Sequence, residues 1–410
     1  MESNDHSQVI LTLVLAGLAG ALSQSLGQLS KIPSIVLLLL AGVLLGPEGL
    51  CWIQPGELGT GLEVVVNLGV ALILFEGGCQ LSWQKLSSRP TNLTALITLG
   101  VGISILGGSV AVHFLSEFPW NLSILFATIV SVTGPTVIGP LLMQFRVEPD
   151  TRTLLESEGI LIDPIVAILS VAILNLITRA NYTWQALLVD IGGRFGIGAL
   201  VGLIGMGLLY GLLKLIQPLP LKYRSTATLA CVLLAYGLAQ GWRSEAGLLT
   251  VVIMGMIFAN LELPDRSEIL QFLESMTLVA IALLFILLSA NLPLSGLLTL
   301  GAGGLLTVLA LMLIVRPLSI LICTAGAAFG WPQRLFMCWV APRGVVAASI
   351  ASLFAISLTD QGISGGEALK AQVFLTIFLT VLLQGLTAGP LARILGLVQA
   401  ESLSEPEVLD

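Results

Sequence analysis

Runs of roughly 18 or more residues almost free of charge recur from one end of this chain to the other, each long enough to cross the ~30 Å hydrocarbon core of a bilayer. Most of them are apolar on every face. A soluble helical bundle needs charged outer faces, so the runs exclude it. Only 10% of the 410 residues are charged and the mean hydropathy is +1.00, against about 25% charged residues in globular domains. The chain therefore reads as an all-α polytopic membrane protein, with the lipid bilayer as its first partner. The sequence pI near 4.9 argues against a nucleic-acid partner. Residues 1–7 are acidic and polar and the first run has no small-residue cleavage site, which predicts a retained helix rather than a signal peptide. Cys51, Cys79, Cys231, Cys323 and Cys338 form no CxxC pair, and His6 and His113 are isolated. No cofactor is expected from them.

Proline, glycine and polar punctuation divides the chain into about thirteen spans: 8–26, 32–46, 61–78, 91–115, 122–145, 153–178, 184–213, 224–241, 246–260, 267–291, 297–325, 333–356 and 371–396. With that count, eleven connecting Lys and Arg residues, among them Lys31, Lys85 and Arg89, fall on one side. Only Arg179, Arg243 and Lys370 fall on the other. The positive-inside rule then places the N-terminus outside and the C-terminus in the cytoplasm of a cell inner (plasma) membrane. Residues 1–183 and 224–396 are expected to form two inverted repeats, with 184–223 as a linker helix and 397–410 as a short acidic tail.

Inside this apolar background the sixth span carries a carboxylate, Asp163, about ten residues or ~15 Å from its cytoplasmic start. A charge near the bilayer centre costs roughly 2.5–3.5 kcal/mol and persists only facing protein or water. Such a carboxylate can hold a proton or a cation in turn, which is the chemistry of exchange. Pro164 denies a donor to the carbonyl of Ile160. In the fifth span Thr133, Gly134 and Pro135 lie near the midplane, and in the twelfth Pro342 and Gly344 flank Arg343. Both patterns predict interrupted helices, and unwound backbone at that depth is tolerated only where it is buried or lines a cavity. Two such helices, one in each half, match the crossing discontinuous pairs of inverted-repeat transporters. Thr133 offers a hard oxygen beside Asp163, so this pair is the expected Na⁺ site. Arg343 needs a buried partner, and Glu158 is the best candidate for a structural ion pair. Arg194 and Arg316 also lie in the apolar belt, with partners left open. Glu76 and Glu156, nearer the inner ends of their spans, are accessory acids. Asp190 and Glu274 are expected to touch interfacial solvent.

The ordered set FEGG at 75–78, TGP at 133–135, ESEGILIDP at 156–164, APRG at 341–344 and LTVLLQGLTAGPLARIL at 379–395 resembles the NhaP-type sodium/proton antiporters of the monovalent cation:proton antiporter superfamily. The resemblance runs through nearly the whole chain. It implies thirteen-helix homodimers with a mobile core domain, elevator-like alternating access and electroneutral exchange. It also implies Asp163 as the ion-binding aspartate, Thr133 as its threonine partner, and Glu158 with Arg343 as the buried stabilising pair. Two positions depart from the family pattern. Ile162 stands where relatives carry Asn or Asp, and Gly134 replaces the aspartate of a TDP motif.

The function expected is antiport of a monovalent cation, Na⁺ first and K⁺ or Li⁺ next, against H⁺, with Asp163 as the shared site. A cation channel and a non-transporting membrane sensor or scaffold are the alternatives. No nucleophile–base set points to an enzyme.

Overall fold

The computed structural model describes residues 2–30, 32–81, 90–179, 182–263, 265–292, 294–327 and 329–398. Lys31, Lys85, Arg89 and residues 399–410 of the acidic tail lie outside the described residues.

The described chain is helical, with one isolated bridge between Val147 and Val398. The first four spans are α1 (Glu2–Ser30), α2 (Ser34–Leu45), α3 (Thr60–Gln80) and α4 (Thr91–Leu115). The fifth is split into α5 (Trp120–Val130) and α6 (Pro135–Gln144). Then come α7 (Pro149–Thr178), α8 (Trp184–Leu215), α9 (Leu221–Trp242), α10 (Ala246–Asn260), α11 (Arg266–Ala290) and α12 (Gly301–Cys323). The twelfth is again split, into α13 (Trp331–Trp339) and α14 (Val345–Asp360), and α15 (Gly366–Ile394) closes the series. Among the described residues, nine helices or joined helix pairs are long and apolar enough to cross a membrane, and α2, α10 and α14 are shorter apolar helices.

The shortest span shows how backbone polarity is managed in an apolar medium. α2 has only 12 residues, about 18 Å of helix. The chain beyond it folds back, so that Leu50 donates to the Leu44 carbonyl while Trp52 and Ile53 both donate to Leu45. Carbonyls left open at the helix end are thereby paired within the chain.

The helices sort into two groups by their packing. In one, α10 packs against α3 and α8, and α11 packs against α1, α2 and α3. In the other, α4 lies on α5, α12 on α4 and α13, α7 on α5 and α6, and α14 on α15. α7 is the main bridge between the groups, touching α8 and α10 on one side and α5 and α6 on the other. This places the residues of the ESEGILIDP motif at the seam.

Candidate ion-binding site

The two interruptions are local consequences of sequence. Residues before proline avoid the helical region, and Gly134 is extended at φ −69°, ψ 112°, so α5 ends and α6 restarts with Pro135 in its first turn. Likewise α13 stops before Val340 (φ −87°, ψ 101°), and α14 begins only after extended Gly344 (φ −102°, ψ 177°). The unwound stretches cross in contact. Gly134 N–H donates to the Pro342 carbonyl at 2.9 Å, and a Cβ on Gly134 would stand 2.3 Å from the Gly344 Cα. Backbone lies against backbone, which only glycine allows. Gly134→Ala is therefore expected to force the stretches apart, costing roughly 1–3 kcal/mol by overpacking and lowering exchange, as checked by thermal unfolding and proteoliposome flux on one preparation.

Unwinding leaves backbone donors that must be paired in a dry interior. Ala341 N–H donates to the Gln384 side-chain oxygen at 3.0 Å, and Arg343 N–H to the Thr380 hydroxyl at 3.2 Å. Both acceptors stand on α15 and are about 1% exposed. They belong to a stripe of Gln372, Thr376, Thr380 and Gln384, all buried. The candidate residues read from motifs omit this stripe, yet four polar side chains at four-residue spacing on an apolar helix are its visible signal.

α7 meets this crossing at Glu158 and Gly159. A Cβ on Gly159 would meet the Thr133 carbonyl oxygen at 2.9 Å and Pro135 N at 3.4 Å, so α7 rests directly on the first interruption. Asp163 lies one turn further along the same face. It is 1% exposed, and among the described residues neither carboxylate oxygen has a hydrogen-bond partner. An unpaired buried carboxylate is costly. Its neighbour Ile162 is packed in the apolar core. The helix runs on unbroken through Pro164. Thr133 is fully buried, and its hydroxyl points to Glu158 Oε1 with a long separation of 3.5 Å.

The expected Glu158–Arg343 pair is not formed. Glu158 is held by Arg316 instead: Nη2 donates to Oε2 at 2.9 Å and Nη1 to Oε1, a bidentate fork between side chains 2% and 5% exposed. Arg316 Nε also donates to the Met337 carbonyl at 3.3 Å. Arg316 begins the last segment of α12 directly after a wide π turn, Leu311–Val315. Pro317 follows it and has no N–H for the Leu313 carbonyl, a common origin of such irregularity. Arg343 already has acceptors, since its Nη1 donates to the carbonyls of Ser131 at 3.2 Å and Val132 at 2.9 Å. These are the carbonyls just beyond α5, where the helix dipole is negative and intrahelical donors run out. Arg343 thus caps one broken helix, and Arg316 carries the ion pair.

One other charge departs from expectation. Asp190 is 7% exposed rather than solvated. It accepts from Asn175 at 3.1 Å, Tyr182 at 3.0 Å, Arg194 at 3.1 Å and Arg243 at 3.0 Å. That network joins the end of α7 to α8 and to the α9–α10 turn, and it gives Arg194 its partner. Glu76 and Glu156 both line a cavity between α3, α6, α7 and α11, which also receives Glu274. Within it Glu156 pairs with Arg152 at 2.8 Å, and Gln80 donates to Glu76 at 2.6 Å.

Residues 10–394 match the family described as sodium/hydrogen exchanger, transmembrane. A K⁺/H⁺ antiporter, NhaP2, from Shewanella sp. strain ANA-3 is 26% identical over 396 residues, covering 95% of this chain and 68% of its own. A Na⁺/H⁺ antiporter, NhaH, from Halobacillus aidingensis is 27% identical over 415 residues, covering 95% and 98%. The solved structure of the sodium proton antiporter MjNhaP1 from Methanocaldococcus jannaschii at pH 8 superposes with a TM-score of 0.81 at 25% identity, covering 95% of this chain and 99% of that one. The unpartnered aspartate beside two crossed, interrupted helices thus sits in a fold shared with transporters rather than enzymes, and the chain belongs to the transmembrane sodium/hydrogen exchanger family of cation/proton antiporters.

Proposed function

We propose that this protein exchanges one monovalent cation, Na⁺ in the first instance, for one proton, with Asp163 as the site both ions share. The observation that supports the reading is a buried carboxylate with no hydrogen-bond partner among the described residues, on the helix that rests against an unwound crossing. Either a proton or a cation relieves its cost, and not both together. Loading one ion therefore favours release of the other. Thr133 and freed backbone carbonyls at the crossing supply further oxygens for the cation. Alternating access takes the form of α7 and the crossing shifting against α3, α8, α10 and α11, along the seam between the two helix groups. Ile162 and Gly134 contribute no second titratable group, which favours one-for-one, voltage-insensitive exchange. In the cell the N-terminus faces outward, two inverted repeats frame the crossing, and the protein works as a homodimer. Similar relatives carry Na⁺/H⁺ and K⁺/H⁺ names, so selectivity is the point to measure.

Purified protein in proteoliposomes, offered Na⁺, K⁺ and Li⁺ under imposed proton gradients and voltages, tests the reading. Expected are cation uptake driven by outward proton movement, the strongest response with Na⁺, and rates unaffected by voltage. Cation current without opposing proton flux would instead identify a channel.

A further inference from the structure

We propose that the Asn175–Asp190 hydrogen bond is a releasable stop on the joint between α7 and α8, made in the opening seen here and broken in the opposite one. The proposal rests on alternating access at Asp163, and the experiment distinguishes failure of the stop from failure of that reading.

The two members of the contact belong to differently restrained helices. Asp190 is on α8, which is packed tightly on α10. A Cβ on Gly198 would stand 2.9 Å from the Ala246 carbonyl oxygen, and one on Gly202 would stand 3.0 Å from that of Thr250. The Thr250 hydroxyl also donates to the Gly198 carbonyl at 3.1 Å. Such close backbone contacts hold α8 and α10 as one body. Asn175 is on α7, the helix that rests on the first interruption through Gly159. The bond therefore ties the helix carrying Asp163 to a rigid frame.

Its place along α7 fits an alternation. The cavity touches α7 at Glu156 and Ile160, on one side of Asp163. Asn175 lies twelve residues beyond Asp163 on the other side, about 18 Å of helix. One end of α7 thus borders open space while the other is clamped. Passing access to the second end requires α7 to swing away from α8 there, which the Asn175–Asp190 bond opposes.

Asp190 is arranged so that it can lose this partner. Its Oδ2 accepts from Asn175 at 3.1 Å, from the Tyr182 hydroxyl at 3.0 Å and from Arg194 at 3.1 Å, and its Oδ1 accepts from Arg243 at 3.0 Å. Arg194 is held in turn by the Ser244 hydroxyl at 2.6 Å. Releasing Asn175 leaves the carboxylate with two guanidinium groups and a phenol, so no buried charge is stranded. Asn175 itself is neutral and half-buried, and its freed amide can turn to water. A hydrogen bond to a charged acceptor is strong enough to bias a two-state equilibrium by about tenfold or more, and weak enough to break in every cycle.

Ser170 supplies the reporter. It lies seven residues beyond Asp163, two turns along the same face. It is fully buried, and its hydroxyl has no hydrogen-bond partner among the described residues. In a chain whose five native cysteines are replaced by alanine, Ser170→Cys is labelled in proteoliposomes with a water-soluble maleimide, with and without Asn175→Leu, under opposed Na⁺ gradients. Labelling is expected to depend on the gradient and to run about tenfold faster with Asn175→Leu, while the unfolding temperature moves little. Asn175→Ala replaces Asn175→Leu if that variant does not fold. On the otherwise native chain, deuterium uptake should quicken over residues 171–179 in the Asn175 variant and stay unchanged over 190–194 and 240–247, where the rest of the network persists. Equal labelling and equal deuterium uptake with and without the Asn175 substitution overturn the stop. Quickened uptake throughout the network also overturns it, since Asn175 would then be a structural bond. Labelling that ignores the Na⁺ gradient in every chain overturns alternating access at Asp163, and the stop with it.

Discussion

Asp163→Asn is expected to reduce cation/proton exchange to the background of empty liposomes while leaving the protein folded and at least as stable as before. The first half follows from chemistry, since an amide of nearly the same shape neither binds a transported proton in this pH range nor attracts a cation as a carboxylate does. The second half follows from burial. Both Asp163 oxygens are unpartnered among the described residues and the side chain is 1% exposed, so the substitution breaks no hydrogen bond and keeps the packing volume. Replacing a buried ionisable group with a neutral one removes a desolvation cost. Flux and thermal unfolding on the same preparation check both halves. A variant that lost activity together with its fold would show that Asp163 is structural.

The second large effect concerns the Arg316–Glu158 fork. Removing one member of a buried pair strands the other, at a cost of about 3–5 kcal/mol. Glu158→Gln and Arg316→Met should each destabilise by about that amount, and the double variant should recover much of the loss because no uncompensated charge remains. Arg343 provides the control. Its Nη1 donates to the Ser131 and Val132 carbonyls rather than to Glu158, so Glu158→Gln should couple more weakly to Arg343→Met than to Arg316→Met. Chemical or thermal unfolding in detergent of the native chain, the three single variants and the two double variants completes the comparison. Strong coupling of Glu158 to Arg343 with none to Arg316 would contradict the geometry.

Much of the fold was legible because a membrane simplifies the problem. Span length and charge spacing place α3, α7 and α15 within a few residues of where they form, and the Gly–Pro and Pro–Arg–Gly sequences interrupt the helices at 131–134 and 340–344. Depth could be read by counting residues from an interface, and depth alone marks Asp163. Lateral neighbours could not be read this way. Arg316 and Arg343 both lie in the apolar belt, and which one meets Glu158 depends on how α12 and the broken twelfth span lie beside α7. The carbonyls at the end of α5 decide it, and they are backbone groups without a sequence signature. Asp190 misleads for a related reason: counting places it near a helix end, while the α9–α10 turn folds over it and supplies Arg243. The Gln372–Gln384 stripe differs again: Thr380 and Gln384 stand inside the LTVLLQGLTAGPLARIL motif and Gln372 and Thr376 precede it, yet what they pair with, the unwound backbone of the second interruption, has no sequence signature.

The contact of Gly134 with Gly344 restricts how this chain can change over time. Two positions 210 apart share one small volume, so neither can gain a side chain while the other stays in place. A lineage acquiring a carboxylate at 134 would have to reshape the second interruption beforehand or pass through a poorly folded intermediate. An engineer grafting a TDP segment into this protein faces the same order of steps, with the far crossing remodelled first and the acid introduced second.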